Sequence, residues 1–155
     1  NGNALTVRNV TAIAALEAGI AINNSSVTVV HGMSRPIGAL YHVPHGLSNA
    51  MLLYKCMSFA LDGATTRFAA LGRAINAADC KADDKTAAAD LLNAIGDICK
   101  KLEVPSLAEY GIDKEDFFGN IDKMADDALA SRSPTNMAKN VTKADIINIY
   151  KSLFS

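Results

Sequence analysis

The sequence predicts an all-α fold, one helical bundle spanning residues 1–155, and three observations lead there. Apolar residues recur at spacings of three and four along most of the chain, and no alternating pattern is strong enough to build a sheet. A chain of 155 residues is near the usual size of one domain and can bury one sizeable core. Half of its residues are hydrophobic and a fifth are charged, the balance of a globular protein rather than a disordered one.

Residues 7–22 are rich in Ala, with Val10, Ile13, Ala14 and Glu17 at helical spacing, and Asn23, Asn24, Ser25 and Ser26 then compete with the helix backbone and end it. Val27, Thr28, Val29 and Val30 are mostly β-branched, so local propensity favours a strand, although so short a run is also consistent with a buried helical segment. Pro36, Gly38, Pro44 and Gly46 predict an irregular connection over residues 35–45, with Pro44 placed to open a helix that runs from about His45 to Phe59. That helix is apolar almost all round and is expected at the centre of the core. Phe68, Leu71 and Ile75 mark the next helix, and Leu92, Ile95, Cys99 and Leu102 mark another, their apolar faces meeting a common core. Asp113 precedes a helix with Phe117, Ile121, Met124 and Ala128 on one face, and Ser133-Pro134 begins a loop. Thr142 with Asp145 three residues on is a near capping box for a last helix striped by Ile146, Ile149, Tyr150 and Leu153.

Composition removes several function classes. Fifteen basic against sixteen acidic residues leave a net charge of -1, with no basic cluster to neutralise phosphates, so nucleic acid is not an expected partner. Uninterrupted apolar runs, such as residues 12–16 and 50–53, fall far below the roughly 20 residues of a membrane span, and no membrane partner is expected. Cys56, Cys80 and Cys99 are odd in number and form no CxxC pair, which excludes a disulfide framework and fits a reducing, cytoplasmic compartment. The opening Asn1-Gly2-Asn3 has no initiator Met and no signal peptide, and suggests part of something longer.

All three histidines, His31, His42 and His45, lie between positions 31 and 45. Imidazole suits Zn and Fe(II), and two histidines on adjacent helices can converge on one ion. Equally, histidines at helix ends are often satisfied by a backbone carbonyl or water, and no Asp or Glu occurs between Glu17 and Asp62 to complete a site locally. Ser25, Ser26, Ser34 and Ser48 surround the histidines, but without a GxSxG elbow or a nearby acid they do not make a nucleophilic triad. No GxGxxG or Walker A sequence is present to cradle a dinucleotide.

The run from His31 to Leu53, HGMSRPIGALYHVPHGLSNAMLL, resembles the second signature of the iron-containing alcohol dehydrogenases. In that family a helix-turn-helix carrying this run supplies two metal-binding histidines, which His31 and His45 match. Residues 15–26 resemble the family's preceding helix, and Ser133-Pro134-Thr135-Asn136 with Thr142 to Tyr150 resemble its C-terminal loop and capped helix. The resemblance implies the C-terminal helical domain of the dehydroquinate synthase-like fold, and it turns Val27 to Val30 into a helical segment that delivers His31. Arg35 stands where many members have a further histidine, Tyr54 replaces the Pro of the usual Leu-Leu-Pro, and Met137-Ala138-Lys139 replaces Asn-Pro-Arg.

The activity implied by the resemblance is NAD(P)-linked interconversion of a small alcohol and its aldehyde or ketone. Fe(II) or Zn(II) is held by His31 and His45 together with an Asp and a His from elsewhere, and NAD(P) is bound mainly by an N-terminal domain that these residues do not contain. Arg35, His42 and Asn49 become candidates for lining the substrate and nicotinamide side, and homo-oligomers of the parent enzyme are compatible with this reading. The chain on its own is expected to be inactive, holding half of the metal ligands. The alternative is a non-catalytic helical module that binds a partner and retains half of a metal site.

Overall fold

The structure, a computed structural model, describes residues 3–154, so Asn1 and Gly2 of the unusual opening lie outside the described residues, as does Ser155. Among the described residues there are seven α-helices and no strand: α1 Leu5–Ser25, α2 Val29–Tyr41, α3 His45–Ala60, α4 Thr65–Ala74, α5 Asp84–Lys101, α6 Lys114–Ala130 and α7 Lys143–Ser152. Single 3-10 turns follow α3 at Leu61–Gly63 and α6 at Ser133–Asn136. The helical ends are those the sequence marks: Asp113 accepts from Asp116 N–H, and Thr142 and Asp145 form the full reciprocal capping box. Asp83 caps α5 in the same way, accepting from the N–H groups of Lys85 and Thr86.

α2 is the axis of the main core. Val29, Met33 and Ile37, spaced by four, are wholly buried against α3, α6 and the 3-10 turn at Ser133–Asn136. The irregular connection expected over residues 35–45 is therefore corrected to a turn of three residues, because α2 continues through Pro36 to Tyr41. An interior proline costs a helix about 3 kcal/mol. Burying three large apolar side chains at about 1.5–3 kcal/mol each outweighs that cost. The same burial makes Val29 and Val30 helical despite their β-branched side chains.

α3 buries Ser48, Leu52, Cys56 and Ala60, again spaced by four, and α6 and α7 close the core from the other side. Phe117 sits at its middle, 5.5 Å from the Tyr150 ring edge-on and 5.2 Å from that of Phe154. The Tyr150 hydroxyl donates to Met33 O at 2.8 Å, tying α7 to α2 in the interior. Asn136 Nδ2 donates to Val27 O at 2.8 Å, fixing the entry to α2.

Two expectations are corrected by packing. The apolar faces do not share one core: α4 and α5 pair over a separate, smaller cluster of Ala60, Phe68, Ala69, Ala87, Ala88 and Leu91. Their contact runs through small residues, and a Cβ on Gly72 would come within 2.7 Å of Ala87 O. Bulk is therefore a poor guide to the buried face of this hairpin, and Leu71, Ile75 and Leu102 of the predicted stripes are exposed. The second correction concerns α1, which has no buried residue at all. Counting uninterrupted apolar runs also understated this helix. It is 21 residues long with a mean hydropathy of 1.4 over its most apolar stretch, enough to cross a membrane by length and composition alone.

Packing this uneven separates core from surface truncations. Phe117→Ala is expected to lower the unfolding free energy by about 3–5 kcal/mol, whereas Leu16→Ala, at a position 65% exposed, changes it by less than about 0.5 kcal/mol, both read from urea denaturation.

Candidate metal centre

The turn between α2 and α3 does the positioning. His42 caps α2 in the left-handed conformation, φ 54° and ψ 25°, with its N–H on Gly38 O at 3.1 Å. Val43 is buried, Pro44 is extended, and His45 is the first residue of α3. The chain thereby doubles back and brings the imidazoles of His31 and His45 together, with ring centres 5.3 Å apart and planes inclined by 57°. Two imidazoles bound through nitrogen to one tetrahedral ion place their ring centres about 5 Å apart, so the pair fits a shared cation.

The surroundings fit as well. Asn49, one turn into α3, lies with Nδ2 3.1 Å from His45 Nε2. An amide nitrogen can only donate, so in this arrangement it bonds the Nε2 lone pair, and an ion taking that lone pair would replace the contact. Asn49 Oδ1 is buried without a hydrogen-bond partner among the described residues, a state that costs about 1–3 kcal/mol until a donor reaches it. Burial pushes the basicity of His31 below that of an ordinary histidine, and the charges of His45 and Arg35 push it further the same way. Neutral imidazole is thus favoured at His31.

Other predicted residues take different places. His42 is exposed on the connecting turn rather than at the ring pair, and Arg35 is exposed one turn beyond His31. Ser34 and Ser48 are buried, each donating back to the carbonyl of the histidine three residues before it, at 3.2 and 3.0 Å. They brace the two helix starts rather than act as nucleophiles, a role that the matching His-x-x-Ser spacing could have signalled. Ser25 donates to Ala21 O. Cys56 has its thiol pushed up to about 12 by burial, so it carries no thiolate at neutral pH. Among the described residues no group of three or more metal-ligating side chains converges, so the pair is half of a usual ligand set.

Comparison with known proteins places this geometry. A family model described as "Fe-containing alcohol dehydrogenase family, C-terminal" matches residues 1–154. Among similar proteins, the NADPH-dependent butanol dehydrogenase of Clostridium saccharobutylicum is 25% identical over 138 residues, covering 88% of this chain and 35% of that protein. The probable alcohol dehydrogenase EutG of Salmonella typhimurium is 30% identical over 149 residues, covering 96% of this chain and 35% of that protein. The solved structure of a 1,3-propanediol oxidoreductase matches with a TM-score of 0.90 and 27% identity, over 99% of this chain and 39% of that one. The match takes in nearly the whole chain, α1 included, while the chain spans little more than a third of these relatives' length.

The electrostatics give a measurable sign. In a proton NMR titration His31 is expected to lose its proton at a pH below the ordinary histidine value of 6.5. The unfolded chain then binds more protons than the folded one as pH falls through that region, so His31 withdraws stability on acidification and restores it as pH rises. His45→Ala moves the His31 midpoint upward, because one of the two charges that oppose its protonation is gone.

Proposed function

Because the chain belongs to the iron-containing alcohol dehydrogenase family, through that family's C-terminal domain, we propose that it forms the helical half of an NAD(P)-linked dehydrogenase acting on a small alcohol or its carbonyl product. The meeting of the His31 and His45 rings across the α2–α3 turn is the observation that carries this reading. Both residues hold a divalent ion, Fe(II) or Zn(II), together with further ligands from outside these residues. Such an ion supplies positive charge at a substrate oxygen, and the dinucleotide supplies the hydride chemistry.

The chain's own residues perform the remaining tasks. His31, half-buried on α2, favours its neutral form, and His45 stands exposed at the head of α3. Asn49 contacts His45 Nε2 and orients the ring, and an ion bound at that nitrogen would take the place of the contact. Arg35, His42 and Asn49 line the side on which substrate and nicotinamide meet. The buried flank of α2, from Val29 to Ile37, closes the site to water from below. Dinucleotide binding falls mainly to an α/β domain, the relatives being more than twice as long as this chain.

The exposed length of α1 favours a second reading, a helical module whose apolar surface takes a partner. One experiment separates the two. In the complete protein, alcohol-dependent reduction of NAD(P) is expected to fall about a hundredfold or more in His31→Ala and in His45→Ala, since outer-shell losses alone cost up to that much. The 155-residue chain by itself is expected to show no turnover. Activity that survives both substitutions would remove the metal reading and leave the module.

A further inference from the structure

Ser26, which ends α1, has φ 71° and ψ -176°. His42 and Arg132 also have positive φ, but their ψ of 25° and 0° keep them in or beside the left-handed helical region that side chains tolerate. A ψ near 180° instead puts Ser26 in a region essentially reserved for glycine, where a serine stays only if its surroundings hold it. The bond from Ser26 N–H to Ile22 O, at 2.8 Å, closes the last turn of α1 and leaves the rotation beyond it to be fixed from elsewhere. α1 cannot fix it by packing, since it buries no residue. Nor does the start of α2 hold itself, because Thr28 makes no side-chain capping bond.

The hold comes from Asn136, 110 positions along the chain. Its Nδ2 donates to Ser26 Oγ at 3.2 Å and to Val27 O at 2.8 Å, one acceptor on each side of the strained rotation. Val27 O is the carbonyl that an uninterrupted helix would offer to His31 N–H, four residues on, so the clasp acts one turn before the imidazole. The same loop returns one residue after it. Pro134 and Ser131 Oγ stand against Gly32, where a Cβ would come within 3.1 and 3.2 Å of them. Residues 131–136 therefore grip the chain on both sides of His31, whose ring must stay 5.3 Å from that of His45 for the two to share an ion.

We propose that Asn136 is a positioning residue for the metal pair: by clasping the strained joint at Ser26 it sets where α2 begins, and so where His31 stands opposite His45. The proposal rests on the metal reading of that pair and adds to it a residue that touches neither imidazole. Without the clasp, Ser26 relaxes toward ordinary dihedrals and the first turn of α2 shifts with it. Glycine at that position has no strain to release, so the joint keeps its angle even when Asn136 is lost.

The test is the Zn(II) affinity of the complete protein by calorimetry, beside its urea unfolding midpoint, in Asn136→Ala, in Ser26→Gly and in the two combined. Asn136→Ala is expected to bind Zn(II) about tenfold more weakly, the low end of what a metal site loses with the support of a ligand. Ser26→Gly alone keeps the original affinity. Added to Asn136→Ala, it restores affinity to within about twofold, although the missing hydrogen bonds still lower the unfolding midpoint. A residue that only stabilised the fold would give no such split. Unchanged affinity in Asn136→Ala overturns the proposal, and so does an equal loss in the single and the combined variant; both leave the metal reading standing. If Asn136→Ala does not fold, the combined variant decides: original affinity upholds the proposal, and failure to fold or to bind overturns it. If the unsubstituted protein binds no Zn(II), the metal reading has failed and the proposal falls with it.

Discussion

The whole arrangement depends on α2 remaining a helix across Pro36. A proline there leaves the carbonyl four residues back, at Gly32, without its usual N–H donor and weakens the helix where it must be straight. Support comes from outside the helix. Tyr150, wholly buried on α7, donates its hydroxyl to the neighbouring carbonyl of Met33. Burial holds the phenol protonated far above neutral pH, so the donor is always present. Pro134 packs against Gly32, where a Cβ would come within 3.1 Å of its ring, and this contact supports the same turn from the other flank. These contacts add to the burial of Val29, Met33 and Ile37 in holding the turn of α2 that carries His31.

The ring pair is built from backbone geometry as much as from side chains. A left-handed residue that is not glycine carries a conformational cost, which histidine tolerates better than bulky or β-branched residues. His42 occupies that position, so it has a task in the turn whatever its imidazole contributes. Ser34 and Ser48 repeat one another, each bonded to the carbonyl of the histidine preceding it by three. Two helix ends with matching internal bonds meet at one point, and a small displacement of either would separate rings that now lie 5.3 Å apart.

Much of this is legible in the residues. The capping signals at Asp113 and Thr142, the stripe of Phe117, Ile121, Met124 and Ala128, and the start of α3 at His45 arise from local chemistry and stand in the structure. Local chemistry fails where distant atoms decide. Proline and β-branched residues argue against a helix at positions 27–36; burial against α3 and α6 reverses that from Val29 onward, while Val27 and Thr28 stay outside the helix, Thr28 as its N-cap. The α4–α5 contact is made by alanine and glycine, so reading for bulky residues chooses Leu92 and Leu102 while the hairpin buries Ala87, Ala88 and Leu91. The histidine cluster is visible as a set of positions, but spacing alone leaves a metal pair and a solvated pair equally open. The partnership of Tyr150 with Met33, separated by more than a hundred positions, has no signature in sequence at all.

The division into two cores bears on how motion spreads through the molecule. Met57 and Met137, both only partly buried, are packed against both clusters, and few other side chains bridge them. Thioether side chains are pliable and transmit little strain. The α4–α5 hairpin is therefore suited to open and close as a cooperative unit of its own, at a free energy below that of the whole domain. Such openings leave α2 and α3 in place. The hairpin is the part of the molecule in which substitutions can accumulate and fluctuations can be absorbed while the two imidazoles keep their register.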